Sequence, residues 1–220
     1  VLSTVMMPRI ANEYKKGNKD NISELLNRAA RFSLFIACPM VFGLIAVADK
    51  LIPWYLGEEF VPTVYAIILI APIIISNTLT GISGGQYFTA TNQIGILVKS
   101  QFIAATGNVI INALLIPHYG FYGAAVATLF TSFSCAIMQY KFMIKQIRLP
   151  GLLKQGVKYL IFSIMMAVLI RCVTRNMEAT PLTNMVQVFV GGLFYCIACL
   201  ITHDEQVRLI IKKVTDLLRK

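Results

Sequence analysis

Long, predominantly apolar stretches recur along this chain and are separated by short polar or charged connections. Crossing the hydrocarbon core of a bilayer, about 30 Å thick, takes about 20 residues of α-helix. Six stretches approach or exceed that length: Phe32–Ala48, Val61–Ile82, Ile94–Ile116, Phe121–Tyr140, Val157–Val173 and Pro181–Thr202. The pattern predicts an all-α, polytopic transmembrane helical bundle with six complete spans.

The boundary between the second and third spans has to be inferred, because no charge occurs from Phe60 to Val98. That stretch is too long for one span, and Gly81–Asn92 is polar and glycine-rich, so we place a loop there. Pro39 and Pro72 fall in the middle of spans, where proline kinks or breaks a helix. Both are candidates for gating, although such kinks also occur in static bundles.

Composition supports a membrane protein over a soluble one. Apolar residues make up 57% of the chain, charged residues 14%, and the mean hydropathy is +0.70. Soluble domains carry about 25% charged residues. The five cysteines lie in or beside apolar runs, so they predict neither a disulfide framework nor a zinc site.

The basic residues predict the orientation of the spans. Of the 20 lysines and arginines, all but Lys50, Arg171 and Arg175 fall in alternate gaps between spans. Basic loops stay on the cytoplasmic side, so the loop from Arg9 to Arg31 and the C-terminus are predicted to be cytoplasmic. The net charge of +10 therefore indicates contact with anionic lipid headgroups and predicts no nucleic-acid partner.

Three regions follow from these patterns. Residues 1–31 are interpreted as the end of a preceding transmembrane helix and a basic cytoplasmic loop, because the chain starts without an initiator methionine. Residues 32–202 form the predicted six-helix lobe. Residues 203–220 are predicted to be a basic amphipathic cytoplasmic tail, with helical spacing of apolar residues in Val207–Leu218. Asn21–Glu24 fits a capping box that opens the helix of the first span.

Signatures of enzymatic chemistry are mostly missing. Neither His118 nor His203 has a partner at metal-binding spacing, and the chain contains no P-loop, G-x-S-x-G or H-E-x-x-H motif. We therefore predict neither a catalytic activity nor a bound metal or cofactor.

Polar residues inside spans are more informative, because lipid disfavours them and they usually face a bundle interior or a watery cavity. Gln101, Asn108 and Asn112 share one face of the third predicted span, and Asn77 lies near the polar end of the second. These four are candidates for lining a substrate cavity, and contact between helices is an equal alternative. Lys99 is a candidate contact for a phosphate, with a snorkelling loop lysine as its alternative.

Several segments resemble the C-terminal half of Wzx-type polysaccharide flippases. They are Thr4–Ile10 with Glu13–Gly17, Cys38–Leu44, Leu51–Phe60, Gln86–Asn92, Lys99, Asn108–Pro117 and Tyr119–Thr128. The resemblance covers nearly the whole chain, and its ordered set of motifs is more specific than any one of them. It identifies the multidrug/oligosaccharidyl-lipid/polysaccharide exporter superfamily.

The resemblance implies one lobe of a two-lobed exporter fold, with the amino-terminal lobe absent from this chain. It also implies a flippase that moves undecaprenyl-pyrophosphate-linked oligosaccharide from the cytoplasmic to the outer leaflet by alternating access. The expected setting is the bacterial cell membrane, during synthesis of capsule, O-antigen or exopolysaccharide. The expected partners are the bilayer, the lipid-linked substrate and the missing lobe.

Other functions stay open from the sequence. Within the same superfamily, the alternatives are a flippase for the lipid-linked peptidoglycan precursor and a multidrug exporter. A multidrug exporter is disfavoured, because it would normally carry a membrane-embedded carboxylate for ion coupling and no Asp or Glu lies within the six predicted spans of this chain. From other classes, the alternatives are a membrane-embedded glycosyl- or acyltransferase and a non-transporting scaffold.

Overall fold

The computed structural model describes residues 2–208, and the side chains of residues 6–208 apart from residue 153. Within that part, all regular elements are helices. They are α1 Leu2–Lys15, α2 Lys19–Tyr55, α3 Pro62–Ile70, α4 Ile73–Thr80, α5 Ile94–Tyr119, α6 Phe121–Ile144, α7 Leu152–Thr174 and α8 Pro181–Ile201. A 3-10 turn, Glu58–Phe60, precedes α3, and a π-helical segment, Gly81–Phe88, follows α4.

Six helical units in the described residues are long and apolar enough to cross a membrane. They are α2, the unit Pro62–Phe88 that joins α3, α4 and the π-helical segment, α5, α6, the stretch Lys154–Thr174 of α7, and α8. The prediction of an all-α polytopic bundle with six spans is confirmed. The amphipathic tail predicted at Val207–Leu218 lies almost entirely outside the described residues.

The first span belongs to a helix that begins earlier than the capping-box prediction placed it. The helix α2 starts at Lys19, and the Asn18 side chain caps it by accepting a hydrogen bond of 3.3 Å from the Asn21 backbone N–H. Asn21 and Glu24 are therefore inside the helix, so the predicted capping box is wrong. The reason is that Asn18 offers the same cap one turn upstream, directly after Gly17, which has a φ of 72°.

The second span is also longer than predicted, because Gly81–Asn92 is not a loop along its whole length. The π-helical segment carries the helix to Phe88. Ile82, Tyr87 and Phe88 are buried against the core there. Their burial stabilises a helical backbone in a stretch whose glycines and polar residues favour a turn by themselves.

The long helix α2 is the centre of the bundle. It packs against α1, α3, α4, α7 and α8, while α5 pairs with α6, which in turn packs against α3, α4 and the π-helical segment. Gly123 allows the tight start of the α5–α6 hairpin, because a Cβ at this position would lie 2.7 Å from the backbone carbonyl of Leu115.

Apolar side chains also cover much of the outer surface. Phe102 is 73% exposed and Val109 is 68% exposed on α5, and α8 exposes Met185 and Phe189 to a similar extent. Such a surface is unfavourable in water and suits contact with lipid acyl chains or with another apolar lobe.

Candidate functional site

Two irregularities interrupt the regular α-helix of the second span. The first is at Ala71–Pro72, between α3 and α4, where proline supplies no backbone N–H to the helical ladder. The second is the π-helical segment, where the bonding widens, as in the bond of 3.1 Å from the Thr89 N–H to the Gly84 carbonyl. Helical segments of this kind occur frequently at functional sites.

A polar crevice of about 710 Å³ lies where α4 and the π-helical segment meet α5 and α6. Its polar lining comes from α4, α5, α6 and the residue after the π-helical segment, and consists of Asn77, Thr80, Thr89, Gln101, Thr131, Ser132 and Gln139. Its volume falls within the range of about 300–1,000 Å³ that is typical of ligand pockets. Amide and hydroxyl groups of this kind can hydrogen-bond the hydroxyls of a sugar or the oxygens of a phosphate.

A buried hydrogen-bond network forms the wall of this crevice. The Gln139 side chain, on α6, accepts a bond of 2.8 Å from Ser83 and donates one of 3.1 Å to Ser100. All three residues are at most 2% exposed. The network therefore joins α6 to the π-helical segment on one side and to α5 on the other.

Gly84 brings the π-helical segment close to this network. A Cβ at Gly84 would lie 3.0 Å from both Gln139 Oε1 and Leu97 Cδ2, whereas Cβ atoms at Gly81 and Gly85 would meet nothing within 4 Å. Close packing against Gln139 and Leu97 thus occurs at Gly84 and not at Gly81 or Gly85.

The crevice contains two of the predicted cavity residues. Asn77 of α4 and Gln101 of α5 both line it, although they are 24 positions apart in the sequence. Lys99 lies two residues before Gln101 but is exposed and is not among the lining residues. Substrate binding by these three residues stays a prediction.

Asn108 and Asn112 lie farther along α5 and are not part of the crevice lining. They bond to each other instead, with Asn112 Nδ2 donating to Asn108 Oδ1 at 2.9 Å. The predicted stripe on α5 is therefore divided, with Gln101 at the crevice and the two asparagines paired within their own helix.

The two candidate gating prolines differ in their surroundings. Pro72 coincides with the break between α3 and α4, whereas α2 continues without interruption across Pro39. Pro39 lines an apolar groove between α2, α7 and α8, together with Met40, Gly43 and Gly191. Movement at either proline stays a prediction.

Sequence reasoning missed Gln139, which holds the crevice wall together. The sequence did contain a signal for it, since a polar glutamine side chain in a membrane span needs a polar partner. What the sequence does not reveal is that Ser83 and Ser100, from two other spans, supply those partners. Among the residues the structure describes, no group of three or more His, Cys, Asp or Glu side chains is placed to hold a metal ion.

The same helical architecture occurs in a solved membrane protein structure. The lipid II flippase MurJ in its inward closed conformation superimposes on 92% of the chain with a TM-score of 0.74 at 21% sequence identity, and this match covers 42% of that protein. The likeness shows the shared helical transporter fold.

Sequence relatives include flippases from bacteria and archaea. The lipid II flippase MurJ of Thermosipho africanus is 26% identical over 94% of the chain and 42% of its own length. The probable lipid II flippase MurJ of Vibrio cholerae is 24% identical over 72% of the chain and 30% of its own length. The probable low-salt glycan biosynthesis flippase Agl15 of Haloferax volcanii is 27% identical over 58% of the chain and 27% of its own length.

The chain thus spans less than half the length of each of these relatives. A model of the family described as lipid II flippase MurJ matches residues 1–192, which is most of the chain. The expected membership in a family of lipid flippases is confirmed, and the finer resemblance to Wzx-type members is not. This multi-pass membrane chain belongs to the lipid II flippase MurJ family.

Proposed function

We propose that this chain is the C-terminal lobe of a flippase that moves polyprenyl-pyrophosphate-linked glycan from the cytoplasmic to the outer leaflet. The observation that carries the proposal is the polar crevice between α4, the π-helical segment, α5 and α6. A glycan headgroup cannot cross the hydrocarbon core unaided, so a path lined by polar groups has to replace its water.

The mechanism we propose is alternating access between this lobe and a second, amino-terminal lobe. Family membership and the partial coverage of the relatives support two lobes. Hydrogen bonds at both ends of the bundle support movement of this lobe as one body. At one end, Ser23 of α2 bonds the Arg148 carbonyl beyond α6, and at the other, Lys50 Nζ donates to the Met177 carbonyl at 2.7 Å.

The first substrate candidate is the undecaprenyl-pyrophosphate-linked oligosaccharide repeat unit of a surface polysaccharide. The similarity to the glycan biosynthesis flippase Agl15 supports it. The second candidate is lipid II, which the match to the MurJ family model supports. In both cases we place the protein in the cell membrane with its C-terminus in the cytoplasm, in accordance with the distribution of basic residues.

Transport by the full-length protein in proteoliposomes tests this proposal. The vesicles carry either a fluorescent undecaprenyl-pyrophosphate oligosaccharide or fluorescent lipid II, and a membrane-impermeant quencher reports the fraction in the outer leaflet over time. Faster equilibration of the oligosaccharide supports the first candidate, and faster equilibration of lipid II supports the second. Rates equal to those of protein-free vesicles for both lipids would overturn the proposal.

A further inference from the structure

The three basic residues that the charge pattern assigns to the outer side lie around one pocket. Lys50 is near the end of α2, Arg171 is in the last turn of α7, and Arg175 follows that helix directly. All three line a pocket of about 390 Å³, together with Asp49 and Val168 among others. None of these residues lines the crevice described above.

Hydrogen bonds to uncharged backbone groups position two of these cations. Lys50 Nζ donates to the Met177 carbonyl at 2.7 Å, and Arg171 Nη2 donates to the Ile45 carbonyl at 3.0 Å. Backbone carbonyls carry no net charge, so these bonds orient the cations without neutralising them. Among residues 6–208, neither the three cations nor Asp49 forms an ion pair. The pocket therefore combines three positive charges with one negative charge.

Ordinary helix electrostatics explain only part of this arrangement. A cation near the C-terminus of α7 interacts favourably with the helix dipole, and its long side chain can reach the headgroup region. However, Arg171 and Arg175 are four positions apart, where like charges repel. Lys50 comes from another helix, and cations are disfavoured on the outer side of a membrane. The convergence of three basic side chains at one pocket therefore favours the binding of an anion there.

We infer that this pocket binds the phosphate group of a lipid headgroup in the outer leaflet. A guanidinium group presents parallel N–H donors that match phosphate oxygens, and the lysine ammonium adds a point charge. Val168 is 57% exposed beside the pocket and offers an apolar surface for an acyl or prenyl chain. This site goes beyond the proposed transport function, because the pocket shares no residue with the crevice.

Lipid binding to the full-length protein in detergent tests the inference by native mass spectrometry. The probes are phosphatidylglycerol and, as a lipid without phosphate, diacylglycerol. We expect Arg175→Gln to weaken phosphatidylglycerol binding by about fivefold, since one basic residue near a surface contributes about 1 kcal/mol. The double variant Arg171→Gln/Arg175→Gln should weaken it by about 25-fold, since a second basic residue is removed. Asp49→Asn should strengthen it, because it removes the pocket's negative charge.

The matched control is Lys15→Gln/Lys19→Gln, which removes two exposed cations far from the pocket in sequence, one at the end of α1 and one at the start of α2. This control should weaken phosphatidylglycerol binding less than the arginine double variant does, because neither of its cations lines the pocket, and diacylglycerol should bind all variants equally. Inorganic phosphate is added as a competitor to distinguish a lipid site from a site for free phosphate. Full displacement by millimolar phosphate, equal losses in the control and arginine variants, or weaker binding by Asp49→Asn would each overturn the inference. If loss of the hydrogen bond from Arg171 to the Ile45 carbonyl impairs folding of the double variant, the single variant Arg175→Gln still tests the inference.

Discussion

The hydroxyl of Ser83 donates a hydrogen bond of 2.8 Å to Oε1 of Gln139, across 56 positions of sequence. The amide nitrogen of Gln139 in turn donates a hydrogen bond to the hydroxyl of Ser100. One side chain thus joins the π-helical segment to α5 and closes the wall of the polar crevice. The Ser100 hydroxyl, which accepts from Gln139, donates its own proton to the Leu97 carbonyl in α5, and the Leu79 carbonyl of α4 lies 3.1 Å from the Ser83 hydroxyl.

Replacing this bridge should weaken the bundle. We expect Gln139→Leu to lower the free energy of unfolding by about 1 kcal/mol, because hydrogen bonds between membrane helices contribute about 0.6 kcal/mol on average. Thermal unfolding of the full-length protein in detergent measures this change. Gln155→Leu on α7 is the control, since the Gln155 side chain makes no hydrogen bond within the described residues. Equal stability of the two variants would contradict the bridging role.

Gly123 should tolerate no side chain at the start of α6. A Cβ there would lie 2.7 Å from the carbonyl carbon and oxygen of Leu115, which are backbone atoms of α5 and cannot rotate away. We expect Gly123→Ala to cost about 1–3 kcal/mol of stability through overpacking. The control is Gly192→Ala on α8, where an added Cβ meets nothing within 4 Å. Unfolding midpoints that are the same for both variants would refute the close contact.

Loss of an amide from the crevice should slow transport without affecting membrane insertion. We expect Gln101→Leu to lower the flipping rate of the full-length protein by about twofold to tenfold, because one hydrogen bond contributes about 0.5–1.5 kcal/mol. Thr106→Val on the same helix is the control, since Thr106 is exposed outside the crevice and bonds the Phe102 carbonyl. A rate for Gln101→Leu that matches the control would remove Gln101 from the substrate path.

Lys99 is tested separately, because it lies outside the crevice lining. If it contacts the substrate phosphate, Lys99→Ala in the full-length protein should reduce surface polysaccharide while membrane insertion stays normal. Quantification of cell-surface polymer and immunoblotting of the membrane fraction measure the two properties. Unchanged polymer output would assign Lys99 to the alternative of a lysine at the membrane edge.

The orientation of the spans has a direct test. Reporter fusions that end at residue 118, in the last turn of α5, should be active outside the cytoplasm, and those that end at residue 150, before α7, should be active inside. An alkaline phosphatase reporter detects the first location and a fluorescent protein detects the second. The reverse result at both positions would contradict the predicted topology.

Local sequence patterns were sufficient for some elements of this fold and insufficient for others. The six spans were predictable because a membrane helix needs a long apolar run regardless of its neighbours. The end of the second span was not, because the helical state of Gly81–Phe88 depends on burial of Ile82, Tyr87 and Phe88 against other helices. The helix start after Asn18 was missed because Asn18 and Asn21, three positions apart, are both suitable caps, and the structure uses Asn18.

The sequence by itself determined the class of the protein, the number of its spans and a prediction of their orientation, since hydropathy and charge act on each segment separately. Only the tertiary structure decided which polar residues meet. It placed Asn77 and Gln101 in the lining of one crevice and left Asn108 and Asn112 outside that lining. It also gathered Lys50, Arg171 and Arg175 at one pocket. The physical reason is that partners for buried polar and charged groups come from distant helices, whose packing is set by the shapes of all the side chains between them.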